Sequence, residues 1–192
     1  MLLGLTGGIG AGKSTALAAF AQLGCPTLSS DEIVHALYLD PEVRAAVTEH
    51  FGPGVLGDDG EVARSALAER VFADDGDRRW LERLLHPRVA AALARWRDEQ
   101  QAAHSGALLV HEVPLLYEAG LADRYDAVVL ITAPDDVRRA RRPEHFDERA
   151  AAQLPEADKA ARADHVYVND GTPAELEHWV GELVERLRGH RQ

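Results

Sequence analysis

The chain has 192 residues, 46% apolar and 28% charged, with a formal net charge of −11 and one cysteine, Cys25. That composition allows one α/β domain with an inserted lobe and argues against disorder. The acidic balance argues against nonspecific nucleic-acid binding, a lone cysteine excludes an intrachain disulfide and fits a reducing cytoplasm, and no stretch approaches the ~20 apolar residues of a membrane span.

The first predicted element is a short strand, Leu2–Thr6. It runs into Gly7-Gly8-Ile9-Gly10-Ala11-Gly12-Lys13-Ser14, and a helix follows from Lys13 to about Leu23 with Leu17, Phe20 and Ala21 toward the core. Strand, glycine loop, Lys-Ser and helix in that order make a phosphate-binding loop. At a background near 7% glycine, its four fixed positions arise by accident in about one chain in a hundred of this size. Glycines let the backbone wrap close to phosphate oxygens, and its N–H groups point inward at the positive end of the helix. Gly7, Gly8, Gly10, Ala11, Gly12, Lys13, Ser14 and Thr15 are therefore the expected ATP site. Lys13 reaches the β- and γ-phosphates, and the Ser14 hydroxyl takes a place on Mg²⁺.

A second strand, Pro26–Ser29, precedes Asp31. Ligands of open α/β sheets lie at the carboxyl ends of strands, so this carboxylate suits a base that accepts a hydroxyl proton; it equally suits a helix N-cap. From Asp31 to Gln101 four helical patterns appear and no strand, interrupted at Gly52-Pro53-Gly54 and Asp58-Asp59-Gly60. A crossover needs only about a dozen residues, so this interval predicts a helical lobe built onto the sheet. Arg64 opens one of its helices, where a solvated surface role is the plainer reading. His86-Pro87 is expected to start the long helix, since proline suits a first helical position.

The third strand, Ala107–Val113, ends at Pro114, with Glu112 near the phosphate loop, either beside the metal or capping a turn. A fourth strand, Ala127–Thr132, leads into a helix carrying Arg138, Arg139, Arg141 and Arg142, and Arg149 follows a short insertion between Pro143 and Pro155. Guanidinium forks suit phosphate oxygens, and a lid that excludes water suits a kinase, so Arg138, Arg142 and Arg149 are candidate catalytic cations. The fifth strand is His165–Asn169, and the last helix keeps Leu176, Trp179, Val180, Leu183, Val184 and Leu187 at i, i+3, i+4 spacing. Five strands separated by helices predict a parallel sheet with helices on both faces. No histidine shows metal-ligand spacing, so no zinc site is expected. Asn169-Asp170-Gly171 lacks the lysine of a guanine-reading segment, which argues against a GTPase-like switch.

Together these pieces resemble dephospho-coenzyme A kinase. The likeness spans Gly4 to Thr15, Asp31, Phe51-Gly52, Asp59-Gly60 with Arg64, Val71-Phe72, Leu81-Glu82, His86-Pro87, Val113 to Glu118, Arg149 with Gln153, and Ala163-Asp164 with Asn169. It implies a P-loop kinase three-layer fold that uses ATP and Mg²⁺ to phosphorylate the ribose 3′-hydroxyl of dephospho-coenzyme A. It further implies a nucleotide core over 1–30 and 105–192, a lid over about 138–158, and an acceptor-binding lobe over 31–104. Asp31 becomes the base, with Arg64, His86, Pro114 and Leu115 beside the acceptor, Ser14 and Glu112 on the metal, and Asn169 near the adenine. A monomer or small homo-oligomer without nucleic-acid or membrane partners is expected. The chain departs from the family pattern in three places: Ser29-Ser30-Asp31 replaces Asp-Ala-Asp, His35 replaces an arginine, and the lid is shorter by about one helical turn of ~3.6 residues.

Overall fold

The computed structural model describes residues 1–143, 146–151 and 153–189, without the side chains of Glu148 and Arg149. Two compact units are present, one of Met1–Ser29 with the residues from Gln100 onward, the other Ser30–Glu99.

The first unit is built on five parallel strands: β1 (Leu2–Thr6), β2 (Thr27–Ser29), β3 (Leu109–Glu112), β4 (Ala127–Thr132) and β5 (His165–Val168). Their order is β2-β3-β1-β4-β5, so β1 is central and feeds its loop onto the middle of the carboxyl edge. β1 and β4 are nearly continuous apolar runs, as strands covered on both faces must be, while β3 is fully buried but carries His111 and Glu112. Pro26 lies outside β2, having no N–H to give a ladder, yet its carbonyl still accepts from Val110 N at 2.9 Å.

On one face, α1 (Lys13–Gln22) and α9 (Pro173–Gly189) cover Leu3, Leu5, Val110, Val129 and Ile131. The i, i+3, i+4 series of α9 is buried as expected, with Leu176, Val180 and Leu183 fully enclosed. In α1 the buried set is Ala16, Ala19 and Phe20 with Leu17 partly covered, while Ala21 is exposed. Phe20 and Leu17 thus face the core as expected and only Ala21 does not; Ala16 and Ala19 complete the face, their small side chains letting α1 lie close to the sheet and α9.

On the other face, Val113, Leu116, Tyr117 and Val128 form a smaller cluster with Leu121, Tyr125, Leu154 and Ala163. Gly4 makes room for it, since a Cβ there would stand 2.6 Å from Leu116 Cδ1 and 2.9 Å from the Tyr125 ring. Beyond β4 lie α6 (Asp135–Arg141), α7 (Phe146–Ala151) and α8 (Glu156–Ala160).

The second unit contains α2 (Ser30–Leu39), α3 (Pro41–Phe51) and α4 (Arg64–Ala73), together with most of α5 (Asp75–Ala103). Its core joins Tyr38, Val43, Val47, Phe51, Val55, Val62, Leu67 and Leu85. Asp40 caps α3 by accepting from Glu42 N and Val43 N at 2.8 and 3.2 Å, with Pro41 at the first helical position. Pro87 does not start the long helix; it lies inside α5. Its ring removes one N–H from the ladder, and the Arg88 guanidinium donates to the Leu84 carbonyl at 2.9 Å beside the gap. Packing of the flanking turns outweighs the local stop signal. Among the described residues no helix is long and apolar enough to cross a membrane.

His111 in β3 is 2% exposed and its Nδ1 lies 2.8 Å from the Tyr125 hydroxyl. Burial pushes the imidazole down to about 4 and the phenol up to about 12. The unfolded chain therefore binds more protons than the folded one between pH 6.5 and about 4, so stability is full above that window and lost as pH falls through it. Urea midpoints measured across the window should drop for the native protein, and His111→Gln should flatten the decline.

Candidate active site

The glycine loop leaves the end of β1 at the centre of the sheet. Gly12 precedes α1 with φ 105°, a left-handed conformation, and no side chain caps that helix. Gly10 is also left-handed, at φ 74°. The loop closes on itself through Ala11 N donating to Gly8 O at 3.2 Å, and Lys13 Nζ reaches back to the same Gly8 carbonyl at 3.1 Å. The ammonium thus sits across the mouth of the loop. Ser14 is exposed and Thr15 half-buried on the first turn of α1.

The outer side of the loop is packed against protein. A Cβ at Gly7 would run into the Ile131 carbonyl at the end of β4. At Gly10 it would strike the Arg138 carbonyl, and at Gly12 the Asn169 side-chain amide. At Gly8 it would collide with the Arg138 guanidinium and stand 2.7 Å from Glu156 Oε1. These glycines are required from behind, by close packing, as much as from the front, by phosphate approach. Asn169 donates to the Ala11 carbonyl at 2.7 Å while its own N–H bonds Thr132 O at 2.7 Å. Its side chain is 5% exposed and props the loop against β4 and β5.

Along the same carboxyl edge, Glu112 pairs in register with Leu5 and with Ser29. Its Oε2 accepts from Ser29 Oγ at 2.7 Å, and both side chains are buried. A buried carboxylate is costly without partners, and this hydroxyl supplies one. Thr6 Oγ1 donates to the Pro114 carbonyl at 3.5 Å, a long contact that sets the turn after β3 beside the end of β1, and Leu115 there is exposed.

The arginines divide sharply. α6 ends at Arg141, so Arg142 follows the helix instead of riding on it, and both are exposed. Arg138 is buried: its Nη2 donates to Asp135 at 2.7 Å and its Nη1 lies 3.8 Å from Glu156. Arg139 is held bidentate by Asp147 at 2.7 and 2.8 Å and lies over the Phe146 ring, and that pairing keeps the Asp147 carboxyl below its usual range. Arg138 is thus committed to buried pairing, whereas Arg141 and Arg142 are exposed. Arg149 belongs to α7, and its side chain lies outside the described residues.

In the other unit, Asp31 is the second residue of α2 and is exposed. Arg64 opens α4, exposed, close enough to Tyr38 for its charge to oppose the upward push of burial on that phenol. His86 is exposed on α5.

A family model for dephospho-CoA kinase matches residues 1–175. The chain belongs to the dephospho-CoA kinase family. The dephospho-CoA kinase of Anaeromyxobacter dehalogenans is 42% identical over 99% of this chain and 93% of its own. Among solved structures, TT1252 from Thermus thermophilus superposes with a TM-score of 0.83 at 31% identity, covering 97% of each chain. The dephospho-CoA kinase of Campylobacter jejuni shares the fold with a TM-score of 0.75 at 22% identity, over 100% of this chain and 98% of its own.

Reading this family member by motif passes over Glu156 and Lys159. Lys159 is fully buried, 2.8 Å from Glu156 Oε1. A signal was available: only two of the 21 basic Lys and Arg residues are lysines, Lys13 and Lys159. Removing the Asn169 amide should loosen the loop. Asn169→Ala leaves the Ala11 carbonyl unpaired, a loss of about 1–3 kcal/mol, and isothermal titration should find ATP bound about 5- to 150-fold more weakly.

Proposed function

We propose that this protein transfers the γ-phosphoryl group of ATP to dephospho-CoA, giving CoA and ADP, the closing step of CoA biosynthesis. The observation that carries this is family membership over residues 1–175, joined to a formed phosphate loop whose lysine spans its mouth. The acceptor atom is the ribose 3′-hydroxyl. Its oxygen bonds to the γ-phosphorus as the β–γ bridging bond breaks toward ADP. The hydroxyl proton passes to a carboxylate.

Phosphoryl transfer asks little covalent chemistry of a protein and much positioning and charge neutralisation. Gly7 to Thr15 hold the triphosphate through backbone N–H groups and the start of α1, and Lys13 exchanges the Gly8 carbonyl for a phosphate oxygen. Asp31 is the base; an exposed carboxylate just after the strand bearing Ser29 supports that role. The helical unit, with Arg64 and His86, takes the acceptor, and Pro114 and Leu115 line the rim at β3. Arg141 and Arg142, exposed and beyond the tied Arg138, are the cations available to a closing lid. Asn169 acts on the nucleotide through the loop it braces.

Mg²⁺ fits the donors present. The Ser14 hydroxyl and the Glu112 carboxylate are hard oxygen ligands of the kind it takes beside phosphates and water, where one or two protein groups suffice. Bound there, it neutralises charge on the β- and γ-phosphates. The lone buried Cys25 fits a reducing cytoplasm.

A coupled assay for ADP with dephospho-CoA as acceptor tests the reading; turnover with a different alcohol and none with dephospho-CoA overturns it. Lys13→Ala should abolish turnover with the fold intact by circular dichroism. Asp31→Asn should lower kcat by about 10²- to 10⁴-fold with ATP affinity nearly unchanged, and equal losses in both would remove Asp31 from the role of base.

A further inference from the structure

Behind the phosphate loop lies a buried set of charges that the reaction as described does not use. Glu156 Oε1 stands 2.8 Å from Lys159 Nζ, 3.8 Å from Arg138 Nη1, and 2.7 Å from the point where a Cβ on Gly8 would sit. One carboxylate oxygen therefore touches both the hidden lysine and the back of the loop. Glu118 Oε1 lies 3.9 Å from the same ammonium and accepts from Leu154 N at 2.8 Å. The side chain of Lys159 is 0% exposed and that of Arg138 6%, with Glu118 and Glu156 at 15% and 20%. Asp135, the other partner of Arg138, is 79% exposed and largely screened by water.

Two cations thus balance two carboxylates in a poorly solvated space against Gly8. Pairing is what makes such burial tolerable, and removing one partner leaves its neighbours uncompensated. The set is not a saturated staple: Glu118 Oε2, Glu156 Oε2, Arg138 Nε and Lys159 Nζ are buried without a well-directed hydrogen bond among the described residues. Incompletely satisfied buried charges have a cost in stability that is most often retained for function. The choice of lysine points the same way. The chain uses arginine almost wherever it needs a cation, yet keeps a compact ammonium at this site and at Lys13.

We infer that Lys159 is a positioning residue for triphosphate binding: with Arg138 it neutralises Glu156 and Glu118 behind Gly8, so that the loop presents no net negative charge to the ligand. The inference rests on the loop's being the ATP site. In a chain of net charge −11, an anion site needs local cancellation of this kind. Losing the Lys159 charge leaves one uncancelled carboxylate close behind the loop and weakens binding in proportion to the charge of the ligand. Glu156→Gln alone leaves a surplus cation and tightens binding.

The test is isothermal titration of ATP, ADP and adenosine into the full-length protein and three variants, each checked by circular dichroism. Lys159→Met should weaken ATP about tenfold, ADP less, and adenosine hardly at all; Glu156→Gln should tighten ATP about threefold. The double variant Glu156→Gln/Lys159→Met should return ATP affinity to within about threefold of wild type, which a cavity or a loosened turn would not allow. Unchanged ATP binding in folded Lys159→Met, or a double variant no better than the single one, overturns the inference. If Lys159→Met does not fold, Glu156→Gln decides: tighter ATP supports the inference and unchanged or weaker ATP overturns it. Wild-type protein that fails to bind ATP refutes the loop as ATP site, a separate failure.

Discussion

Close packing behind the phosphate loop is the constraint on which the rest of this structure depends. A backbone that turns its N–H groups toward a polyphosphate must turn something else away from it. Here the far side meets the Ile131 carbonyl, the backbone and guanidinium of Arg138, and the Asn169 amide. Any side chain on Gly7, Gly8, Gly10 or Gly12 would push the loop off that support. The anion cradle is thus a product of β4, α6 and the end of β5 as much as of its own residues. β1 must be central for those elements to reach it.

Charge follows from the same arrangement. An acidic protein that binds an acidic ligand relies on local balance, and most cations near the loop are committed to partners. Arg138 is held by Asp135 and Glu156, Arg139 by Asp147, and Lys159 by Glu156. Lys13 is half-buried and donates to a carbonyl of its own loop, and Arg141 and Arg142 are exposed at the end of α6. A guanidinium bound bidentate to a carboxylate gives up that pairing only for something stronger. The arginine-rich run therefore contains separate devices, one buried brace and several exposed groups.

Much of this was legible along the chain because the signals are local. The Gly7–Ser14 run, the apolar strands and the α9 stripe each declare themselves within one element, and each occurs where periodicity and loop chemistry put it. Other features were not legible. Pro87 carries a local stop signal, but the packing of neighbouring turns holds α5 continuous through it. Ala16 and Ala19 look indifferent in sequence and become core because α9 lies close above α1. Arg138, Arg139, Arg141 and Arg142 read as one patch, since a sequence shows charges and not which of them pair or become buried.

By itself, then, the sequence determined the order of elements, the chemistry of the loop and membership of a kinase family, because these rest on neighbours along the backbone. Tertiary structure alone decided that Asn169 holds the Ala11 carbonyl, that Ser29 shares a hydrogen bond with Glu112, and that Lys159 lies buried against Glu156 behind Gly8. The first two pairs join residues far apart in the chain, and the third, between residues three apart, owes its burial to the packing around it. Burial removes the water that would otherwise satisfy them, so only the fold selects which polar groups must meet.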